Sequence, residues 1–285
     1  MTNAPSVPEI KAQELLDQYD CLLIDAYGVL IHRDGPIQHA AAFIDALNAQ
    51  NKPYVILTND ASRSAQSASD NLKSKGFSIE PEHVITSGSL VVPYFQENNL
   101  QGAKCYVFGP QKSHDLVTQA GGIVIDPKED DEVDVVIAMD DAGFDFLTMI
   151  EDVLSAVFRR LDAGHKVQFL VPNPDLIYQK NEREVGLTAG SIALIIEEAL
   201  HVRYYDEAPT FLKLGKPHHY IYEQALKKTK TRNMAMIGDQ IRTDILGANK
   251  FGIASILVAT GLTQLRSGHV PEEQRPDFLL HSLAL

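Results

Sequence analysis

The chain has 285 residues, 45% hydrophobic and 22% charged, a globular balance with room for one large domain or two smaller ones. Its formal net charge of −13 argues against a nucleic-acid-binding surface, which carries a basic patch, but leaves small anionic substrates open, because a metal or one local Lys reverses the sign within a site. Cys21 and Cys105 read as reduced thiols of a cytoplasmic protein, the N-terminus lacks the basic-then-apolar pattern of a signal peptide, and no apolar run approaches a membrane span.

In chain order, residues 1–8 read as a polar lead-in and Glu9 to Tyr19 as a short amphipathic helix. Cys21-Leu22-Leu23-Ile24 reads as a buried strand ending at Asp25, with a Gly-bearing turn at Gly28. Val29-Leu30-Ile31 and Ile37 flank His32-Arg33-Asp34-Gly35-Pro36, and Asp-Gly between apolar residues is a hairpin signal. A helix is expected from His39 to Gln50, a buried strand over Tyr54-Val55-Ile56-Leu57 ending in Thr58-Asn59-Asp60, and a helix from Ser62 to Lys75 closed by Gly76. Val84-Ile85-Thr86 is extended, and Ser87 is expected to cap a helix running to Asn98.

The middle reads as a second α/β unit. Strands are expected at Cys105–Phe108, Ile123–Ile125, Val135–Met139 and Val167–Val171, with a helix from Thr148 to Ala163 and a solvated acidic loop over Lys128 to Asp134. The last strand runs into Pro172-Asn173-Pro174-Asp175. The final third has an apolar helix from Ser191 to His201, Gly215-Lys216-Pro217 before a helix from His218 to Lys228, a strand over Met234–Ile237 ending at Gly238-Asp239, a helix from Asp244 to Phe251, and a strand over Ala254–Val258 ending at Ala259-Thr260-Gly261. Alternation of this kind implies a parallel sheet covered on both faces.

Three buried strands thus end in polar groups, at Asp25, Thr58-Asn59 and Asp239, and Lys216 opens a helix between the second and third. Parallel strands put their carboxyl ends on one edge, where α/β sheets bind ligands. One cleft can then hold two carboxylates, a hydroxyl, an amide and an ammonium, a set suited to phosphoryl transfer. Asp25 would be the nucleophile, two carboxylates would need a cation such as magnesium between them, and Thr58, Asn59 and Lys216 would hold the phosphate oxygens.

These residues resemble the four spaced motifs of the haloacid dehalogenase (HAD) superfamily, on its phosphatase side. Asp25-Ala26-Tyr27-Gly28-Val29 resembles the first, Leu57-Thr58-Asn59 the second, Lys216 the third, and Gly238-Asp239 with Thr243-Asp244 the fourth. The insert between the second and third motifs resembles the class IIA branch, which contains p-nitrophenyl, pyridoxal phosphate and sugar phosphatases. Asn173-Pro174-Asp175 resembles a cap segment of that branch, and Leu187-Thr188-Ala189-Gly190-Ser191 its return to the core; the likeness runs from Tyr19 to about Thr263. The resemblance implies a doubly wound, Rossmann-like core over 1–100 and 188–285 with a smaller mobile α/β cap at 101–187. It also implies a Mg2+-dependent phosphatase of a small phosphorylated metabolite, working through phospho-Asp25, with metal bound by Asp25, Asp239 and the main-chain carbonyl of Tyr27. A homodimer through the cap is a further expectation.

One departure stands out. Where the family's phosphatases carry the Asp that protonates the leaving alcohol and then activates water, this chain has Tyr27. An ordinary Tyr, with a pKa of about 10, can donate a proton but is a poor base at neutral pH. Slow turnover, good leaving groups, or another group such as His32 or Asp60 are the consequences to weigh. Tyr27 itself stands between a packing aromatic and a catalytic group. Asp244 reads as support for Lys216 or the metal, against a plain helix N-terminal acid. Arg63, Asn173 and Asp175 are candidate substrate contacts whose structural reading is the stronger. His32, His218 and His219 have no zinc spacing. Two competing functions remain: a binding or regulatory protein that lost catalysis through Tyr27, and a phospho-receiver module, which has no reason for a large insert.

Overall fold

A computed structural model describes residues 7–32, 35–130, 132–180, 183–259 and 271–285. Most of the lead-in, the Arg33-Asp34 turn, Asp131 and Thr260-Gly261 lie outside the described residues. The chain divides into two compact units: Met1–Thr58 with Ala65–Ile85 and Lys216–Leu285, and Asn59–Ser64 with Thr86–Gly215.

The first unit holds a six-stranded sheet in the order Phe278–Leu280, Ala254–Val258, Met234–Gly238, Cys21–Ile24, Tyr54–Thr58 and Val84–Thr86. The registered pairs are parallel. Its strands are near-continuous apolar runs because both faces are covered. Leu22, Ile24, Ile56, Ile237 and Ile256 enter one hydrophobic cluster, while Leu23, Val55, Met236 and Leu257, alternating with them along the strands, are equally buried outside it.

Element edges moved where polar groups found other partners. The first helix spans Ala12–Gln18 rather than starting at Glu9, because Ile10 N–H donates to Leu279 O at 3.0 Å in a strand-like bridge. The next helices are Ala40–Ala49 and Ala65–Lys73; the latter starts late because Asp60 Oδ1 accepts Ser62 N–H at 3.2 Å in a turn. The expected Ser87 cap is corrected. A 3₁₀ turn over Gly88–Leu90 leads into Val91–Glu97, and the Ser87 hydroxyl instead donates to Asn59 O at 2.8 Å.

The second unit has its own parallel five-stranded sheet, ordered Leu212–Lys213, Gln168–Val171, Val135–Ala138, Lys104–Phe108 and Ile123–Val124. Helix Phe146–Asp162, capped by Asp145 accepting Thr148 N–H at 2.9 Å, packs with Ala189–Tyr204 on Phe108, Val136, Phe169 and Val171. This unit reaches beyond 101–187 at both ends. Helix Ala189–Tyr204 buries Ile192, Ala193, Ile196 and Leu200 in the second unit's core, and Leu212–Lys213 pairs with Gln168–Val171. Leu187–Ser191, read as a return to the core, therefore lies inside the second unit, which ends at Gly215. Sequence reading also missed an antiparallel hairpin, Ile177–Gln179 with Val185–Leu187.

Cys21, in the first unit, and Cys105, in the second, are both fully buried, and burial pushes each thiol up to about 12. Among the described residues no helix is long and apolar enough to cross a membrane.

Candidate active site

The central strand of the first sheet, Cys21–Ile24, lies between Met234–Gly238 and Tyr54–Thr58, with Ile24 opposite both Ile237 and Ile56. That register carries Asp25, Thr58 and Asp239 to the same carboxyl edge. Asp25 N–H continues the ladder by donating to Ile237 O at 2.9 Å. The chain then turns tightly: Ala26 O accepts from Leu30 and Ile31 N–H, both at 3.0 Å, and Gly28 N–H donates to Ile31 O at 2.9 Å. Gly28 adopts φ +87°, and a Cβ there would lie 2.2 Å from Asp239 Oδ2. The glycine is thus required both by the turn and by the carboxylate against it.

Lys216, 2% exposed, ties the cluster together. Its Nζ donates to Asp25 Oδ1 at 2.6 Å and to Asp244 Oδ1 at 2.7 Å. Asp244 is held in turn: its Oδ2 accepts Gln240 N–H at 3.1 Å and its carbonyl accepts the buried Tyr222 hydroxyl at 3.3 Å. The expected helix start at Asp244 is corrected. A π-helical turn over Ile241–Ile245 precedes helix Leu246–Phe251 and contains the acid. A Cβ at Gly238 would sit 2.2 Å from Asp244 Cβ, and one at Gly247 would sit 2.4 Å from the Tyr222 hydroxyl. Tyr222 and Gly247 are members of the site that sequence reading missed; Tyr222 was legible only as an inward helix position.

Asp25, Asp239 and Asp244 each offer a carboxylate oxygen within 4.8 Å of the others, and all three are buried. Burial first, then Asp244 and Asp239, raise the Asp25 carboxyl well above its usual range, against the pull of Lys216. Burial opposes the Lys216 ammonium, but Asp244 and Asp25 outweigh it and hold its pKa above the ordinary value. Three buried carboxylates against one ammonium leave negative charge that is costly without a cation. The donors are all hard oxygens, which fits magnesium or calcium.

Thr58 is buried at the strand end, and Tyr27 is 44% exposed. Asn59 belongs to the second unit, where its carboxamide Nδ2 donates to Asp175 Oδ2 at 3.2 Å. Asn173 Oδ1 accepts Asp175 N–H at 3.0 Å, and Arg63 forms an ion pair with Asp60. His32 is exposed, and the ring of His219 meets Phe251 edge-on.

A Rossmann-like sheet whose central strand ends in a lysine-bridged cluster of buried acids defines a class: α/β proteins with a buried charged centre at the carboxyl edge of the sheet. Family models narrow it. Residues 22–122 match a haloacid dehalogenase-like hydrolase model and residues 213–285 a HAD-hydrolase-like model. An acid sugar phosphatase of Staphylococcus aureus is 29% identical over 252 residues, 88% of this chain and 90% of that protein. The crystal structure of a possible sugar phosphatase of the HAD superfamily from Cytophaga hutchinsonii superposes with TM-score 0.82 at 27% identity, covering 98% and 99% of the two chains. A glycerol phosphate phosphatase from Mycobacterium tuberculosis, solved with calcium, gives TM-score 0.74 at 26% identity over 95% of this chain and 74% of that one. At both matched segments, and along most of its length in these relatives, the chain is similar to hydrolases of the haloacid dehalogenase superfamily.

Proposed function

We propose that the chain is a phosphoric monoester hydrolase that cleaves a small phosphomonoester, a sugar phosphate or similar metabolite, through Asp25. The observation that carries this is the bridge from Lys216 to Asp25 and Asp244, with Asp239 beside it, at the end of the central strand. The names of the sugar and glycerol phosphate phosphatases it resembles support the substrate class.

In this reading a carboxylate oxygen of Asp25 attacks phosphorus, the bond to the leaving oxygen breaks, and that oxygen takes a proton. Water then attacks the phosphorus of the acyl phosphate, releasing phosphate and restoring the carboxylate. Thr58 and the ammonium of Lys216 hold phosphate oxygens that carry transition-state charge. Lys216, kept protonated by Asp25 and Asp244, brings a fixed positive charge at no reorganisation cost. Asp25, Asp239 and the Tyr27 carbonyl would hold Mg2+, which when bound neutralises charge on phosphate and on the acids. Tyr27 can supply the leaving oxygen with a proton from its phenol.

A second reading, a binding protein with weakened catalysis, rests on Tyr27 standing where an acid–base carboxylate is expected. Magnesium-dependent release of phosphate from p-nitrophenyl phosphate and from a panel of phosphorylated metabolites separates the two. Turnover of at least one ester, lost with chelator, supports the hydrolase. Phosphate-analogue binding without turnover of any ester supports the binding protein.

A further inference from the structure

The peptide bonds Thr58–Asn59 and Gly215–Lys216 join residues of the first unit, Thr58 and Lys216, to residues of the second, Asn59 and Gly215. On the second unit's side, Asn59 and Gly215 meet. A Cβ at Gly215 would lie 2.6 Å from Asn59 Oδ1 and 2.5 Å from Pro172 O, so only glycine fits between them. Gly215 N–H donates to Pro172 O at 2.9 Å, in the loop that carries Asn173, Pro174 and Asp175.

The Asn59 side chain is oriented from its other end. Its Nδ2 donates to Asp175 Oδ2 at 3.2 Å, across 116 residues of chain. Its main-chain carbonyl accepts the Ser87 hydroxyl at 2.8 Å. Asp175 is itself fixed on three sides. Its N–H donates to Asn173 Oδ1, its carbonyl accepts the Thr188 hydroxyl, and Gly190 lies so close that a Cβ there would be 2.3 Å from that carbonyl oxygen. A carboxylate pinned by its own backbone and spent on a carboxamide is built to hold a neighbour still.

We propose that Asp175 is a positioning residue for phosphate binding. It acts through the Asn59 carboxamide to fix Asn59 and Gly215, and through their peptide bonds the backbone from which Thr58 and Lys216 project. The inference rests on the phosphatase reading for its consequence but not for the clamp itself, which lies wholly within the second unit.

Four proteins test it: Asp175→Ala, Asp175→Asn, Asn59→Ala and the double alanine variant. In wild type and variants, KM and kcat are measured on p-nitrophenyl phosphate, with competitive inhibition by inorganic phosphate. Amide hydrogen exchange is measured over residues 57–61 and 214–217 without ligand. Asp175→Ala should raise KM and the phosphate inhibition constant about tenfold, the order of a hydrogen bond to a charged group, with a smaller change in kcat. It should also speed exchange at both segments. Asp175→Asn keeps an acceptor oxygen and should stay within about threefold of wild type. The double variant should be no worse than the poorer single, as expected of one shared interaction.

Unchanged phosphate affinity in Asp175→Ala overturns the positioning role, as does additivity in the double variant. Asp175→Asn as impaired as Asp175→Ala also overturns it. If wild type hydrolyses no ester, the phosphatase reading falls instead. The exchange data then still decide the clamp: faster exchange in Asp175→Ala upholds it and unchanged exchange overturns it.

Discussion

Both units lay parallel strands side by side under helices, yet the carboxylates and the ammonium buried among the described residues, Asp25, Asp239, Asp244 and Lys216, all belong to the first. Among the described residues of the second unit the buried serine and threonine side chains are those of Ser87, Ser113 and Thr188, with Thr86, the last residue of the first sheet's edge strand, at its start. Its charges pair at the surface, as Lys104 does with Asp130 and Glu132, and Arg203 with Asp162. A hydroxyl asks for one hydrogen bond when buried, whereas a carboxylate asks for a counter-charge. Two similar sheets therefore differ in what folding must offset, and the proposed function rests on that difference.

The largest expected effect breaks the first unit's side of this contrast. Asp25→Asn preserves shape and removes the proposed nucleophile, so turnover of p-nitrophenyl phosphate should fall by on the order of 10³-fold or more. Retention of a tenth of wild-type activity rules out the covalent route. Thermal stability should not fall, because the variant relieves repulsion among three buried acids.

Tyr27→Asp sharpens the contrast from the exposed rim of the site. Adding a carboxylate where the phenol stands should speed hydrolysis of alkyl phosphates, whose leaving alkoxide needs a proton, by up to the ~10²–10⁴-fold of general acid–base help. The gain should be smallest on p-nitrophenyl phosphate. A folded variant slower on every alkyl phosphate would show that Tyr27 is itself functional.

Lys216→Met compared with Lys104→Met sets the two units against each other. The first leaves Asp25 and Asp244 buried without their cation and should cost about 3–5 kcal/mol in chelator, partly recovered by magnesium. The second removes a surface partner and should leave the melting temperature nearly unmoved. Equal shifts would erase the distinction. Asp239→Ala should weaken magnesium binding by calorimetry at least as much as the ~10–100-fold that loss of an outer partner costs a metal site. Unchanged affinity would move the metal off this cluster.

Much of this was legible because buried strands advertise themselves. Cys21–Ile24, Tyr54–Thr58 and Met234–Gly238 are unbroken apolar runs, and the polar residue that ends each one marks the sheet edge. Lys216 was legible by its place before a helix, since one of its partners, Asp25, lay at such a strand end. What stayed hidden depends on distance along the chain or on competition between neighbours. The pattern of helix Ala189–Tyr204 shows that it is buried but not which sheet buries it, so the second unit was drawn too short. Ser87 carries a good capping side chain, yet Asn59 O offered its hydroxyl a better partner. The Asn59–Asp175 bond joins positions with no shared periodicity, and the π-helical turn at Asp244 answers to Lys216 and Gln240 rather than to its own propensity.

The two buried cysteines make each unit its own reporter. Cys21 and Cys105 are shielded from solvent with thiols pushed up to about 12, so neither presents a thiolate at neutral pH while its unit is closed. A pulse of alkylating reagent during denaturant titration, read by mass spectrometry, would then time the opening of each sheet separately. Simultaneous labelling would describe one cooperative molecule, and staggered labelling two foldons joined by a few peptide bonds.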